Sequence, residues 1–224
     1  MVRNAALGQG EGYVQIGLGE VPDAATLREL LESARADSTC RAAVIAGDSW
    51  NPPDGTPPGA RLHWLEGFEL PTLFAFDGEL AGPAFDVALA CDIRVCGPSA
   101  TIRASSIGTA RLLQLIGQHG SVALMQRRGR LDAGAALTMG LVSAVAGDGQ
   151  SAEAKAAELA GIIARRGPIA TRLAKEAIWR GLEMPMEQAL RFETDLTLLL
   201  QTTKDRAEGV RAFMEKRAPQ FTGE

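Results

Sequence analysis

Apolar residues alternate with others at Val14, Ile16 and Leu18, the two-residue period of a strand with one covered face. Pro22 and Asp23 then open a stretch in which Leu27, Leu30, Leu31 and Ala34 recur at three- and four-residue spacing, which predicts an amphipathic helix. Residues 42–46 and 72–76 are continuous apolar runs, each stopped by an Asp/Gly turn. A parallel strand covered on both faces reads this way, so strand, helix, strand predicts a crossover unit. Residues 51–58 carry four prolines and a glycine and are excluded from helix and central strand, because proline lacks a donor and fixes φ. A short helix is expected over 61–69. A small-residue helix follows Gly82-Pro83 over 84–91, then strands over 92–96 and 101–103.

Beyond residue 109 the pattern becomes helix after helix. Leu112, Leu115 and Ile116 mark one, 121–128 a second and 133–139 a third, with a short strand over 141–145. Helices are then predicted over 152–165, 168–180, 185–201 and 204–215. Pro168 and Pro185 stand where a first helical turn tolerates proline. With no repeat or dividing linker, the chain reads as an α/β core over 1–150 and a helical region over 151–224. In that region Ala189, Phe192, Leu196, Leu199 and Leu200 form a stripe suited to core or to a subunit interface.

Composition adds constraints. Aromatics are 5% of a chain that is 46% hydrophobic, so the core must be built from Ala, Leu, Val and Ile. The 23 basic and 27 acidic residues form no basic tract, so a nucleic-acid partner is not expected. No run reaches the ~18 apolar residues of a membrane span, and the start carries no apolar signal core, so a cytoplasmic location away from membranes is expected. Cys40, Cys91 and Cys96 have no metal-ligand spacing with His63 and His119; they read as buried thiols in a reducing compartment, with no metal site.

The candidate chemistry lies between residues 71 and 94. A strand ends in Asp77-Gly78, Gly82-Pro83-Ala84 opens a helix carrying Asp86, and Cys91-Asp92 closes it. This order resembles the central signature of the crotonase (enoyl-CoA hydratase/isomerase) family. Further along, Gly129-Arg130 through Gly140-Leu141-Val142, Ala174-Lys175-Glu176 and Glu208-Gly209 through Lys216-Arg217 resemble the family's later segments in family order. The resemblance implies a crotonase-type (ClpP/crotonase) α/β spiral of βα units with a helical C-terminal region. It also implies a homo-trimer or dimer of trimers, and an acyl-CoA thioester as partner. Coenzyme A would then be part of the substrate, with no bound cofactor. Two backbone N–H groups of the family form an oxyanion hole that receives charge developing on the thioester oxygen.

Several positions depart from that pattern. The first oxyanion donor would fall at Trp50 or Asn51. The second falls in Gly82-Pro83-Ala84, with Pro83, which has no N–H, at the donor position. The two hydratase glutamates match Asp86, one methylene shorter, and Ser106, whose hydroxyl at its ordinary pKa cannot replace a carboxylate base. By resemblance Arg111, Phe213 and Lys216 would approach coenzyme A, although solvated charge is the plainer reading of Arg103, Arg111 and Lys216. Asp92 reads as a structural acceptor, Asp77 and Glu79 as turn residues, and His63 as a surface residue. Trp50 and Trp64 read as pocket walls, and Trp179 as helix packing. Three functions stay open: a thioester enzyme working by enolate stabilisation rather than ordinary hydration, a catalytically inactive auxiliary subunit, and a hydratase with relocated carboxylates.

Overall fold

The structure is a computed structural model describing residues 7–10, 12–50, 62–104, 109–126 and 130–224. Its larger sheet has six strands: β1 (Leu7–Gly10), β2 (Tyr13–Gly17), β3 (Ala42–Ala46), β4 (Thr72–Phe76), β6 (Ile93–Cys96) and β9 (Ala144–Val145), in that order across the sheet. β1 pairs antiparallel with β2 and every other pairing is parallel.

The apolar runs are explained by the pleat. Successive side chains point to opposite faces, so Ala43, Ile45, Phe74 and Phe76 enter one core while Ala42, Val44, Leu73 and Ala75 enter another. On the first face lies α1 (Ala24–Ala36), whose predicted stripe is buried and whose start is capped by Asp23, accepting from Thr26 N at 2.7 Å. On the second lies α6 (Ala152–Ala164), which presents Ala152, Ala156 and Ala160, all fully buried. Alanines at four-residue spacing let this helix sit close on the strands, which is how so few aromatics suffice.

A second sheet joins β5 (Glu79–Ala81), β7 (Thr101–Arg103) and β8 (Arg130–Asp132), with β5 parallel and β8 antiparallel to β7. Of these only β7 was expected. Each strand has three residues and buries a single one, Leu80, Ile102 or Leu131, too little to register as a period. The strand expected over 141–145 shrinks to β9. Leu141 N and Val142 N instead donate to Ala136 O, closing the end of α5 (Ala133–Thr138) around Gly140, whose φ is +77°.

Three helices also differ from expectation. The one expected over 61–69 is only α2 (His63–Glu66), stopped at Gly67. The helix expected at Leu112, Leu115 and Ile116 and the one expected over 121–128 form, as far as the described residues go, one element α4 (Thr109–Gln126), broken at Gly117 with φ +69° and ψ 173°. α3 (Gly82–Ala90) starts two residues earlier than expected. The proline-rich loop predicted over 51–58 lies outside the described residues.

The C-terminal helices α7 (Pro168–Gly181), α8 (Met186–Gln201) and α9 (Lys204–Glu215) follow the predicted order, with Pro185 as the N-cap of α8 rather than in its first turn. α7 and α8 pack together. α7 is fastened to the core by Asp92, which accepts from Lys175 Nζ at 2.7 Å, Trp179 Nε1 at 2.9 Å and Thr72 N at 2.7 Å. Asp92 is thus the structural acceptor expected of it. All three cysteines are free thiols. Burial pushes Cys91 up to about 12 and Cys96 up to about 11, while Cys40, expected to be buried, is only partly so.

Candidate active site

The site is built where β4 turns through β5 into α3. At the end of β4, the exposed Asp48 offers Oδ1 to both Asp77 N and Gly78 N at 2.9 Å. A Cβ on Gly78 would stand 2.7 Å from Asp48 Oδ2, so a larger residue there would require the Asp48 carboxylate to shift within this clasp. Asp77 reaches onward and accepts from Ala152 N at 2.9 Å, fixing the start of α6. Its expected turn role therefore extends to joining two elements. Glu79 is exposed and pairs with Arg103 at 3.1 Å.

Gly82 has φ +58°, a left-handed value that a side chain disfavours, and Pro83 follows in the first turn of α3. There the missing proline N–H removes no helical bond, because first-turn amides have no partner within the helix. It does remove one of the outward-facing donors that an oxyanion would use. The amides of Gly82 and Ala84 remain as candidates. The opposite end of α3 is held by Arg94, only 5% exposed, which donates to Cys91 O and Leu141 O at 2.6 Å and to Ala88 O at 3.3 Å. A cation here complements the negative end of the helix.

Asp86 lies three residues beyond Pro83 and so shares its side of α3. It is 2% exposed, and its Oδ1 has no hydrogen-bond partner among the described residues. Burial pushes its carboxyl above the usual aspartate range, and the Arg111 guanidinium partly offsets this. An acid in this state retains its proton to higher pH and can donate it, which suits a general acid better than an ionised base.

Arg111 is not the solvated charge expected of it. Its Nε donates to Glu66 Oε1 in an ion pair whose side chains are only 15% and 12% exposed. The other Glu66 oxygen meets His63 Nδ1 at 2.8 Å, while the His63 side chain is 82% exposed. Nothing in the sequence singled out Glu66, since its partner lies 45 positions away on another helix. Arg111 also borders a largely apolar cleft of about 420 Å³ that includes Leu89, Cys91, Leu115, Ile178 and Trp179. Leu89 follows Asp86 by three positions on α3.

The remaining candidates are more scattered. Trp50 is 4% exposed and donates Nε1 to Val21 O at 2.7 Å, so its ring is core and only its amide is left as a donor. Trp64 packs edge-on against Phe68, with the Arg28 guanidinium over its ring. Ser106 and Asn51 lie outside the described residues. Phe213 is 85% exposed on α9, and Lys216, with φ +54°, ends that helix; both face solvent in the single chain. Among the described residues no group of three or more His, Cys, Asp or Glu is placed to hold a metal ion.

A family model described as enoyl-CoA hydratase/isomerase matches residues 60–224. The probable mitochondrial enoyl-CoA hydratase 2 of Arabidopsis thaliana is 37% identical over 169 residues, covering 71% of this chain and 56% of that protein. The mitochondrial methylglutaconyl-CoA hydratase of Mus musculus is 38% identical over 167 residues, covering 69% and 53%. The chain therefore spans about half the length of these curated relatives. Among solved structures, the enoyl-CoA hydratase of Bacillus anthracis superposes with a TM-score of 0.83 at 28% identity, covering 97% of this chain and 98% of that one. A Streptomyces coelicolor enzyme titled putative enoyl-CoA hydratase reaches 0.84 at 24% identity, a likeness of fold. These matches agree with the βα spiral and its trailing helices, and the chain belongs to the crotonase (enoyl-CoA hydratase/isomerase) family.

Proposed function

We propose that this protein acts on an acyl-CoA or closely related thioester by stabilising an enolate, with Asp86 moving the proton. The observation that carries this reading is the buried Asp86 carboxyl, whose Oδ1 has no hydrogen-bond partner among the described residues, on the side of α3 that also carries Pro83. In this scheme the amides of Gly82, Ala84 and Trp50 are the available oxyanion donors, and the apolar cleft bordered by Leu89 and Arg111 takes the acyl group. Arg111, Phe213 and Lys216 are assigned to the coenzyme A moiety, the last two from the exposed end of α9. The chain itself supplies positioning and the proton, which the Asp86 carboxyl delivers to the enolate.

Ordinary hydration is placed last. It needs two carboxylates around one water, and Glu66, a covered carboxylate of this region, is already engaged by Arg111 and His63. A second reading, an auxiliary subunit without turnover, is favoured by Pro83, which takes away a donor from the first turn of α3. Losing one such donor costs ~3 kcal/mol of transition-state stabilisation.

The experiment is a titration of the protein with acyl-CoA ligands of varied head group, followed by product analysis. Binding with turnover that Asp86→Ala abolishes while the fold persists supports the enzyme reading. Binding without turnover supports the auxiliary subunit. Absence of binding to any acyl-CoA sinks both.

A further inference from the structure

Several arginines of this chain are matched by acids or carbonyls. Arg103 meets Glu79, Arg191 meets Glu187, and Arg217 meets both Glu208 and Glu215. The buried Arg94 is held by carbonyl oxygens. Arg166 and Arg172 are different. Neither side chain makes a hydrogen bond or an ion pair among the described residues.

These two converge with Arg41 on one cleft of about 210 Å³, at the amino ends of β3 and β4, where α6 gives way to α7. Arg41 stands directly before β3 and is half-buried. Its guanidinium makes one long bond to a neutral group, from Nη2 to Phe221 O at 3.4 Å. A fourth arginine on the rim, Arg35, is already bound to Glu32 at 2.8 Å and faces Glu69 at 3.7 Å. The remaining acid on the rim is Asp37, whose Oδ1 accepts from Thr39 N at 2.8 Å and Thr39 Oγ1 at 2.7 Å. Four arginines against two engaged acids leave the cleft net positive.

One wall of the cleft comes from the segment after α9. Asp205, only 4% exposed, accepts from Thr222 N at 2.7 Å and Gly223 N at 3.1 Å, which fixes both residues beside the arginines. The cleft is therefore framed by tied-down chain. Guanidinium groups gathered in one concavity repel one another unless an anion lies between them. Their planar forks match the oxygens of phosphate, which take two parallel N–H bonds at a time.

We propose that this cleft binds a phosphate group, held by Arg41, Arg166 and Arg172. Its volume is below the roughly 300–1,000 Å³ of pockets that take a whole ligand. A phosphate therefore enters either as the free ion or as the end of a molecule whose remainder stays in solvent. The site lies at the opposite end of the parallel strands from the Asp48 clasp, so it is separate from the thioester chemistry proposed above. A bound phosphate ties the start of β3 to the α6–α7 junction and to α7, and stabilises the folded chain by mass action.

The test titrates the full chain with inorganic phosphate, following the backbone amides of Ile169, Thr222 and Gly223 by nitrogen-15 NMR and the melting temperature in parallel. Saturable shifts of these signals and a rising melting temperature are expected, with no such response to sodium chloride at matched ionic strength. Arg166→Gln and Arg172→Gln, both at exposed positions, should each weaken binding about tenfold or more. Arg130→Gln, exposed on β8, should leave it unchanged. Adenosine monophosphate separates the sources: tighter binding than inorganic phosphate assigns the site to a phosphate ester, and equal or weaker binding to the free ion. The proposal is overturned by shifts that never saturate, by a chloride response equal to that of phosphate, or by undiminished binding in the Arg166→Gln, Arg172→Gln double variant.

Discussion

Asp86 makes a thermodynamic statement as well as a chemical one. Its carboxyl is raised in the folded chain by burial, so folding favours the neutral form. Below the ordinary aspartate value of about 3.9 the group is protonated in both states and costs nothing. As pH rises through that value the unfolded chain ionises first, and folding loses stability until the folded carboxyl ionises as well. Asp86→Asn, which keeps the shape without the ionisation, is therefore expected to raise the melting temperature at pH 7. The gain should shrink as pH falls below the carboxylate range, and calorimetry at pH 7 and pH 3 reads the difference. A gain independent of pH would mean that burial does not raise the carboxyl. Pro83 gives the second prediction at this scale. Pro83→Ala returns an amide to the first turn of α3, at a stability change of about 1 kcal/mol or less where the backbone suits both residues. If the missing donor limits an enolate step, turnover should rise by up to about 100-fold, reading the cost of a lost oxyanion donor in reverse. An unchanged rate would mean that Gly82 or Ala84 already fills the role.

At the scale of elements, the link between the helical region and the sheet runs through Asp92. One carboxylate at the start of β6 gathers Thr72 from β4 and Lys175 and Trp179 from α7. Lys175 is 10% exposed and also donates to Leu70 O at 3.0 Å. Truncating Asp92 strands that ammonium, and loss of one member of a buried pair costs about 3–5 kcal/mol. Asp92→Ala should lower stability by that order in urea unfolding, and Lys175→Met less, because Asp92 keeps its Thr72 and Trp179 donors when the ammonium is gone. The elements differ in how readable they were. α1, α6 and α9 carry full turns of periodic apolar positions or capping residues such as Asp23, Ser151 and Thr203, so sequence places them to within a residue or so. β5 and β8 have three residues each and exist only because β7 lies between them. The length of α2 is decided by Gly67, and the break in α4 by the left-handed backbone at Gly117, which a periodicity argument sees only as a gap between two helices.

At the scale of the whole molecule, the last three helices leave a broad apolar surface. Ile178, Leu182, Met186, Leu190, Leu198, Leu199, Phe213 and Met214 are each more than half exposed. A surface of this kind points to association, and we propose that it forms the trimer or dimer of trimers expected by resemblance. Light scattering on the eluted protein should give a mass three or six times 23.6 kDa. Leu198→Asp, at an exposed position, should lower that mass without unfolding the chain. A monomeric mass for the parent would remove both the assembly and any contribution of Phe213 and Lys216 to a neighbouring site. None of the helices among the described residues is long and apolar enough to cross a membrane.

By itself the sequence determined the parallel core, the order of the helices and the family, because these follow from local periodicity, caps and motifs in chain order. It also placed Asp86 and Pro83 on one helix, since positions three apart share a face. What only the tertiary structure decided is how those groups are surrounded. That Asp86 is buried with an unpartnered oxygen, that Arg111 is held by Glu66 rather than by solvent, and that Trp50 is fastened to Val21 all depend on residues distant in sequence. The physical reason is that burial and charge pairing are properties of the folded neighbourhood, whereas periodicity belongs to the chain.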